Sequence, residues 1–294
     1  MNQQANRKKL EKLLFLAVCI CLNATGQTVP PGAAALGYTS ILFNLQPTAS
    51  QIAPGNNGHY DWFSGKFSEP FIPRTNFVTI SNALVLKFTG THLNLVSEPR
   101  DFSTGVVPLL PGSNGFYVEC DMWISDTNED HLPSIWLLPE EHNGAFQDEY
   151  PHQYPRDPVG FERWLELDVQ EGGWSKGQLG TVHFWSGLYP AYTSIWNPND
   201  KAPNKINQSL KHTFGASYNP ITQQVAWWTD GLYQMSATSP YVPMVASLQN
   251  FYLILSTYSH GANLPYNMYV SGIRGWVPPK LPPPPTDLPV VPPP

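Results

Sequence analysis

Eight residues near the middle of the chain concentrate the groups that could do chemistry. The run from 164 to 171 reads Trp-Leu-Glu-Leu-Asp-Val-Gln-Glu and holds three acids, Glu166, Asp168 and Glu171. On a β-strand successive side chains point to opposite faces, so Trp164, Glu166 and Asp168 share one face. The acid-bearing face cannot be core, because unpaired carboxylates are costly to bury. The other face is aliphatic and typical of a core: Leu165, Leu167 and Val169.

The position of Glu171 predicts an irregularity in this strand. Strict alternation would place Glu171 on the core face, where an unpaired carboxylate is very costly. One extra residue, a β-bulge at Val169–Gln170, returns Glu171 to the face of Glu166 and Asp168. We therefore predict three acids on one face, with Asp168 between the two glutamates.

Three neighbouring acids on one face suit retaining glycoside hydrolysis. In that reaction one carboxylate attacks the anomeric carbon while a second, held neutral, protonates the leaving oxygen, and the two lie about 5–5.5 Å apart. Same-face neighbours on a strand give such distances, and crowding raises the pKa of at least one acid. A solvated acidic strand and a set of Ca²⁺ ligands have the same spacing, so both alternatives stay open.

The rest of the chain predicts an all-β domain. Only 13% of the 294 residues are charged, and aromatic residues, Gly and Pro are frequent, as in strands broken by tight turns. Strand-like runs recur from about 42 to 277, and Asp230-Gly231 is a two-residue hairpin signal. Because no run of helical periodicity is long enough for a crossover helix, we predict one antiparallel β-sandwich over 38–277. Cys120 is expected to be a buried core residue.

Both ends of the chain differ in composition from this domain. Basic residues at 7–12, an apolar stretch at 13–22 and small residues before Gln27 predict a signal peptide over 1–26. Residues 27–37 are predicted to be a flexible arm, and 278–294 a proline-rich tail or linker. Cleavage removes four basic groups and one acid, which takes the net charge from −6 to −9 and argues against a nucleic-acid partner. We expect a secreted monomer without a membrane span.

Segments in order along the chain resemble glycoside hydrolase family 16. The run 166–171 is similar to its signature Glu-aliphatic-Asp-aliphatic-x-Glu in the bulged form, as in laminarinase- and agarase-like members. The segment 133–136, Pro-Ser-Ile-Trp, resembles the family's Pro-Ala-x-Trp strand, and 181–183 resembles its Thr-Val-His. The resemblance covers roughly residues 60–277. The other similar segments are 61–65, 82–86, 115–120, 212–215, 227–232, 251–255 and 268–270.

The resemblance implies a jelly-roll β-sandwich with a substrate cleft across its concave sheet. It implies Glu166 as the nucleophile, Glu171 as the general acid/base, and Asp168 as the group that hydrogen-bonds between them. It also implies that His183 lies on the adjacent strand near the acid/base. Sugars stack their C–H faces on aromatic rings. The residues predicted to bind substrate are therefore His183 and three tryptophans, Trp136, Trp164 and Trp185.

Three positions depart from the family's pattern. Leu132 stands where relatives often carry Trp, and Ser256 where they often carry Asn, which alters the usual sugar subsites. Ser271 stands where they often carry Asp. This removes an anionic ligand from the calcium site that many relatives hold on the convex face. We expect no metal in the site and no cofactor, with reduced support for a structural calcium.

These features predict an endo-acting retaining hydrolase of a β-linked polysaccharide. The leading substrate class is β-1,3- or β-1,3-1,4-glucan, and a galactan such as agar is the next. One alternative is a glycan-binding module on the same fold, which has no need for two flanking glutamates on a bulged strand. Another is a transglycosylase, which shares the first half-reaction and differs in what intercepts the intermediate.

Overall fold

The strand-like runs of the sequence form sixteen strands in the part of the chain that the structure describes. The structure is a computed structural model that describes residues 28–55, 58–65, 72–98, 105–142, 158, 160–172, 177–261 and 264–280. Helix in these ranges is limited to one α-helical turn, α1 (Pro31–Ala34), and short 3₁₀ turns at Ala49–Gln51, Arg74–Asn76 and Met244–Leu248. The strands are β1 (Ser40–Leu45), β2 (Phe63–Ser64), β3 (Phe77–Ile80), β4 (Ala83–Phe88), β5 (Leu93–Val96), β6 (Leu110–Pro111), β7 (Phe116–Ile124), β8 (His131–Pro139), β9 (Phe161–Glu171), β10 (Thr181–Leu188), β11 (Thr193–Trp196), β12 (His212–Asn219), β13 (Gln224–Thr229), β14 (Leu232–Ala237), β15 (Asn250–Ser259) and β16 (Tyr266–Val277).

The strands form two sheets that pack as a sandwich. The back sheet has the order β14-β13-β12-β7-β16-β4-β3, with β1 also paired to β16. The front sheet has the order β11-β10-β9-β8-β15-β5-β2, with β6 also paired to β15. Every pair of these strands is antiparallel. The predicted fold class, an antiparallel β-sandwich of the jelly-roll type, is confirmed.

The sandwich core lies between the inner faces of the two sheets. Leu165, Leu167 and Val169 of β9 are all 0% exposed and belong to this core, as the alternation of β9 predicts. Cys120 of β7 is also fully buried there and carries a free thiol. The Asp230-Gly231 signal is confirmed as well, since Thr229 pairs with Leu232 across it. Both turn residues have positive φ, 52° and 77°, as a type I′ hairpin turn requires.

The outer face of the back sheet carries a compact ion network. Arg274 of β16 donates from Nε to Glu119 Oε1 at 2.7 Å, and from Nη2 to Asp121 Oδ1 at 2.7 Å. Only 9% of the Glu119 side chain and 11% of the Asp121 side chain are exposed. Burial without a partner would be costly for both carboxylates, so their ion pairs with Arg274 are what allow them to be buried.

The start of the described chain differs from the flexible arm expected over 27–37. Residues Pro31–Ala34 form α1, in which Gly32 and Ala33 are buried. Gly32 packs so closely that an added Cβ would come within 2.5 Å of the Tyr117 ring. Close packing of small residues under large aromatic rings of the back sheet therefore orders this segment, although its sequence has no periodic pattern.

The other predicted segments at the chain ends fall mainly outside the described residues. The signal peptide predicted over 1–26 lies wholly outside them, as does the proline-rich tail beyond Lys280. Among the helices that the structure describes, none has the length and apolar character needed to cross a membrane.

Candidate active site

A bulge in β9 brings the three acids to one side of the front sheet. Along the pairing with β8, Trp136 lies opposite Asp168 and Ile135 lies opposite Gln170. Val169 therefore has no residue opposite it, and the strand carries one extra residue at the predicted place. Glu166, Asp168 and Glu171 consequently face one cavity, and this part of the prediction is confirmed.

The cavity is a pocket of about 260 Å³ on the outer face of the front sheet. Its lining residues come from β8, β9 and β15 and from His92, which immediately precedes β5. Besides the three acids, its lining is aromatic or small and polar, with one aliphatic residue: His92, Leu132, Ser134, Trp136, Ser256 and Tyr258. This mixture of rings and hydroxyls over a row of acids is suited to a sugar chain.

Asp168 is the most buried of the three acids. It is 2% exposed, and its Oδ2 atom has no hydrogen-bond partner among the described residues. Burial raises the pKa of Asp168 well above its usual value, and the charges of Glu171 and then Glu166 raise it further. The raised pKa favours the neutral, proton-carrying form of Asp168 at the centre of the cluster.

Glu171 has the features of a proton donor. Burial raises the pKa of its carboxyl, and the charge of Asp200 adds to this rise. A hydrogen bond that Thr181 Oγ1 donates to Glu171 Oε2 at 3.3 Å acts in the opposite direction. The net rise favours the neutral, proton-carrying form that a general acid needs.

Glu166 is only partly buried and is held by a neighbouring tryptophan. Trp185 of β10 donates its indole N–H to Glu166 Oε2 at 2.9 Å. A hydrogen bond to a carboxylate stabilises its charged form. This is the arrangement that an attacking carboxylate requires.

His183 lies nearer to Glu166 and Asp168 than to the predicted acid/base. It is the cross-strand partner of Glu166, and its Nε2 is 3.7 Å from Asp168 Oδ2. Burial lowers the pKa of His183, which favours the neutral ring. Glu171 receives its hydrogen bond from Thr181, because the β9–β10 register places His183 opposite Glu166 and Thr181 opposite Asp168, nearer to Glu171.

One set of side chains in this cluster could also hold a cation. Glu166, Asp168 and His183 each present one donor atom, and these atoms lie within 4.8 Å of one another. Two carboxylates and an imidazole are a donor set that divalent transition metals accept. The absence of a metal expected from the sequence stays a prediction.

The predicted aromatic residues divide into lining and buried ones. Trp136 lines the cavity and donates its N–H to Ser256 Oγ at 2.7 Å. Trp185 is partly buried beside Glu166. Trp164 is only 4% exposed, because the ring of His142 stacks on it with a centroid distance of 3.5 Å. Glu162 anchors that ring at 2.7 Å, so an imidazole covers the indole face expected to receive a sugar.

Two aromatic residues near the acids were not among the predicted ones. Tyr258 of β15 lines the cavity and is 40% exposed. Trp196 of β11 is 55% exposed and stands opposite His183 in the neighbouring strand. Alternation along 193–196 could have placed Trp196 on one face of a strand, but the pairing with β10 requires the tertiary structure.

Comparisons with known proteins show the fold. No protein-family model matches this sequence, and no curated protein matches it. The chain is similar to the solved endo-β-1,3-glucanase from Pyrococcus furiosus, with a TM-score of 0.51 and 15% identity over 81% of this chain and 94% of that one. It is also similar to a solved structure from work on the endo-acting O-glycanases that prominent members of the human gut microbiota express to initiate mucin breakdown. That match has a TM-score of 0.50 and 14% identity over 81% of this chain and 99% of that one.

Proposed function

We propose that this protein is an endo-acting glycoside hydrolase that cleaves a β-linked polysaccharide with retention of configuration. The observation that carries the proposal is the bulge in β9, which turns Glu166, Asp168 and Glu171 toward one aromatic-lined cavity. A strand that only needed a polar surface would have no reason to bury Asp168 between two further acids, since that burial is energetically costly.

The mechanism assigns different work to the two glutamates. Glu166, ionised and held by the Trp185 N–H, attacks the anomeric carbon while Glu171 gives its proton to the leaving oxygen. The C–O bond to the leaving sugar breaks, and a covalent glycosyl–Glu166 ester forms. Glu171, now a carboxylate, then takes a proton from water, which attacks the ester and restores Glu166.

Asp168 supports both steps from its buried position. Its proton, held by burial and by the neighbouring charges, is available for a hydrogen bond to the nucleophile. That bond lowers the basicity of Glu166, so its carboxylate stays ionised in the resting site. The same bond helps Glu166 to leave the ester in the second step. Both effects require Asp168 to be neutral, which agrees with the direction of its pKa.

The substrate class rests on the resemblance and the comparisons. We propose a β-1,3- or β-1,3-1,4-glucan as the leading substrate, with a galactan such as agar as the next. The similar fold of an endo-β-1,3-glucanase supports the first choice. The similar fold of an endo-acting O-glycanase supports endo-action on glycans more generally. The bulged form of the signature further supports a laminarinase- or agarase-like member of glycoside hydrolase family 16.

The principal experiment is a polysaccharide panel with product sizing. Wild-type protein should shorten a β-glucan or a galactan to mixed oligosaccharides early in the reaction, as random internal cleavage does. Glu166→Ala should abolish turnover while the protein stays folded. Glu129→Ala, which removes an exposed carboxylate outside this cavity, is the matched control and should keep full activity. A glycan-binding module would bind the polymer without shortening it.

Azide capture separates the roles of the two glutamates. Glu171→Ala should lose roughly 10²–10⁴-fold on substrates whose leaving group needs a proton. It should retain the first step on substrates with an activated leaving group. Added azide should then yield a glycosyl azide of unchanged β configuration. An α-glycosyl azide, or substantial activity in Glu166→Ala, would contradict the assignment. Added sugar acceptors distinguish a transglycosylase, because that enzyme would yield lengthened products.

We further propose that the protein is exported. The basic, apolar and small-residue segments over 1–26 support a cleaved signal peptide, and a polymer too large to enter a cell calls for an enzyme outside it. Mass spectrometry of secreted protein should find a chain that begins at Gln27. Secreted material that still began at Met1 would contradict this prediction.

A further inference from the structure

The edge of the front sheet next to the acids carries a large exposed aromatic ring. Trp196 is the last residue of β11, the outermost strand of this sheet, and is 55% exposed. It pairs directly with His183, which in turn pairs with Glu166. Direct cross-strand partners point to the same face of a sheet. Trp196 therefore lies on the same outer face as the acids.

The distance from Trp196 to Glu166 suits a bound sugar chain. Neighbouring strands lie about 4.8 Å apart, so two strand spacings separate β11 from β9 by roughly 10 Å. A sugar ring bound at that distance would belong to the same oligosaccharide as the ring at the nucleophile and would lie close to it in that oligosaccharide. Trp136 and Tyr258 lie on the other side of the acids, on β8 and β15. Aromatic rings thus flank the acids on both sides along the direction that crosses the strands.

Trp196 also continues a series of rings instead of standing alone. Its ring centroid is 6.1 Å from that of His183, which is 5.9 Å from that of Trp185. Single exposed apolar residues are common on protein surfaces and need no explanation. Trp196 differs from such a single residue, because its half-exposed indole belongs to a row of rings that leads to the acids. It leaves apolar surface facing the place where a polysaccharide would pass.

We propose that Trp196 is a sugar-stacking platform that binds the glycan on the side of Glu166 opposite Trp136. The ligand is a pyranose ring that presents its apolar C–H face to the indole. This inference rests on the proposed function and extends the binding surface from the cavity to the edge strand β11. The substrate would then lie across β15, β8, β9, β10 and β11.

The test measures oligosaccharide binding and turnover in a pair of variants. The probes are a β-1,3-linked glucohexaose and an agarose-derived hexasaccharide, with a two-sugar aryl glycoside of the same linkage as the short comparison. Trp196→Ala should weaken binding of the accepted hexasaccharide by about tenfold, equivalent to about 1.4 kcal/mol. It should raise KM more than it lowers kcat, and the loss should be larger for the hexasaccharide than for the short glycoside.

Two further variants guard against a merely structural effect. Ile195→Ala alters the opposite face of the same strand at a residue that is 43% exposed, and it should leave binding and turnover unchanged. Trp196→Tyr keeps an aromatic face and should restore most of the affinity. Melting temperatures close to that of the wild type would show that β11 remains folded.

The possible results lead to different conclusions. If wild-type protein binds and cleaves a hexasaccharide but Trp196→Ala behaves identically, the platform is refuted while the proposed function stands. An equal loss in Ile195→Ala, or no recovery in Trp196→Tyr, would also refute stacking. If wild-type protein neither binds nor cleaves any polysaccharide of the panel, the proposed function itself fails, and this inference fails with it.

Discussion

Replacing Asp168 by Asn should stabilise the protein as pH rises while it slows catalysis. Burial, the largest cause, raises the pKa of Asp168 well above its usual value in the folded chain. Above the unfolded pKa the folded chain therefore binds more protons at this residue than the unfolded chain. Stability then falls as pH rises toward the folded pKa. Asn has no proton to lose, so the variant lacks this decline.

The magnitude follows from the linkage relation. One bound proton changes the free energy of unfolding by about 1.4 kcal/mol per pH unit. Between two pH values at which folded Asp168 keeps its proton, the variant should therefore gain up to about 1.4 kcal/mol per pH unit relative to wild type. The amide adds an N–H that needs a partner in a 2% exposed site, at a cost of about 1–3 kcal/mol. That cost is the same at both pH values, so it cancels in the difference.

Urea unfolding at several pH values is the direct assay. The difference in free energy of unfolding between Asp168→Asn and wild type should move in favour of the variant from pH 5 to pH 7. The kcat of the variant should also fall, because an amide N–H is a weaker hydrogen-bond donor to Glu166 than the O–H of a neutral carboxyl. A stability difference that stayed constant across this range would refute a raised pKa at Asp168 and the role given to its proton.

Two further predictions concern residues that interact with carboxylates. Thr181→Val removes the hydrogen bond that lowers the pKa of Glu171, so that pKa should rise. The basic limb of the kcat/KM pH profile should then move to higher pH. An unchanged limb would argue against Glu171 as the general acid. Arg274→Met leaves Glu119 and Asp121 without their shared cation and should lower the free energy of unfolding by about 3–5 kcal/mol at neutral pH. Urea titrations should show this loss shrinking in acid, where both carboxyls become protonated; a loss independent of pH would contradict the charge argument.

The sequence alone determined the sheet face on which each residue of β9 lies. Alternation has a period of two, so the aliphatic residues Leu165 and Leu167 had to point away from Glu166 and Asp168. The cost of burying an unpaired carboxylate then required a bulge before Glu171. These arguments use only neighbouring residues and their solvation. For that reason they predicted the shared face of the acids, whereas the antiparallel sandwich was predicted from the lack of a run long enough for a crossover helix.

The ring faces that stay open were decided only by the tertiary structure. Trp164 and Trp196 each have an alternation pattern that fits an outward-facing ring. His142, from the segment that follows β8, covers the first, whereas nothing described covers more than part of the second. Contacts of this kind depend on strand order, register and the paths of distant segments, none of which is encoded in the spacing of nearby residues. The same reason explains why Thr181, rather than His183, bonds to Glu171: the β9–β10 register, which no local spacing encodes, places His183 opposite Glu166 and Thr181 opposite Asp168.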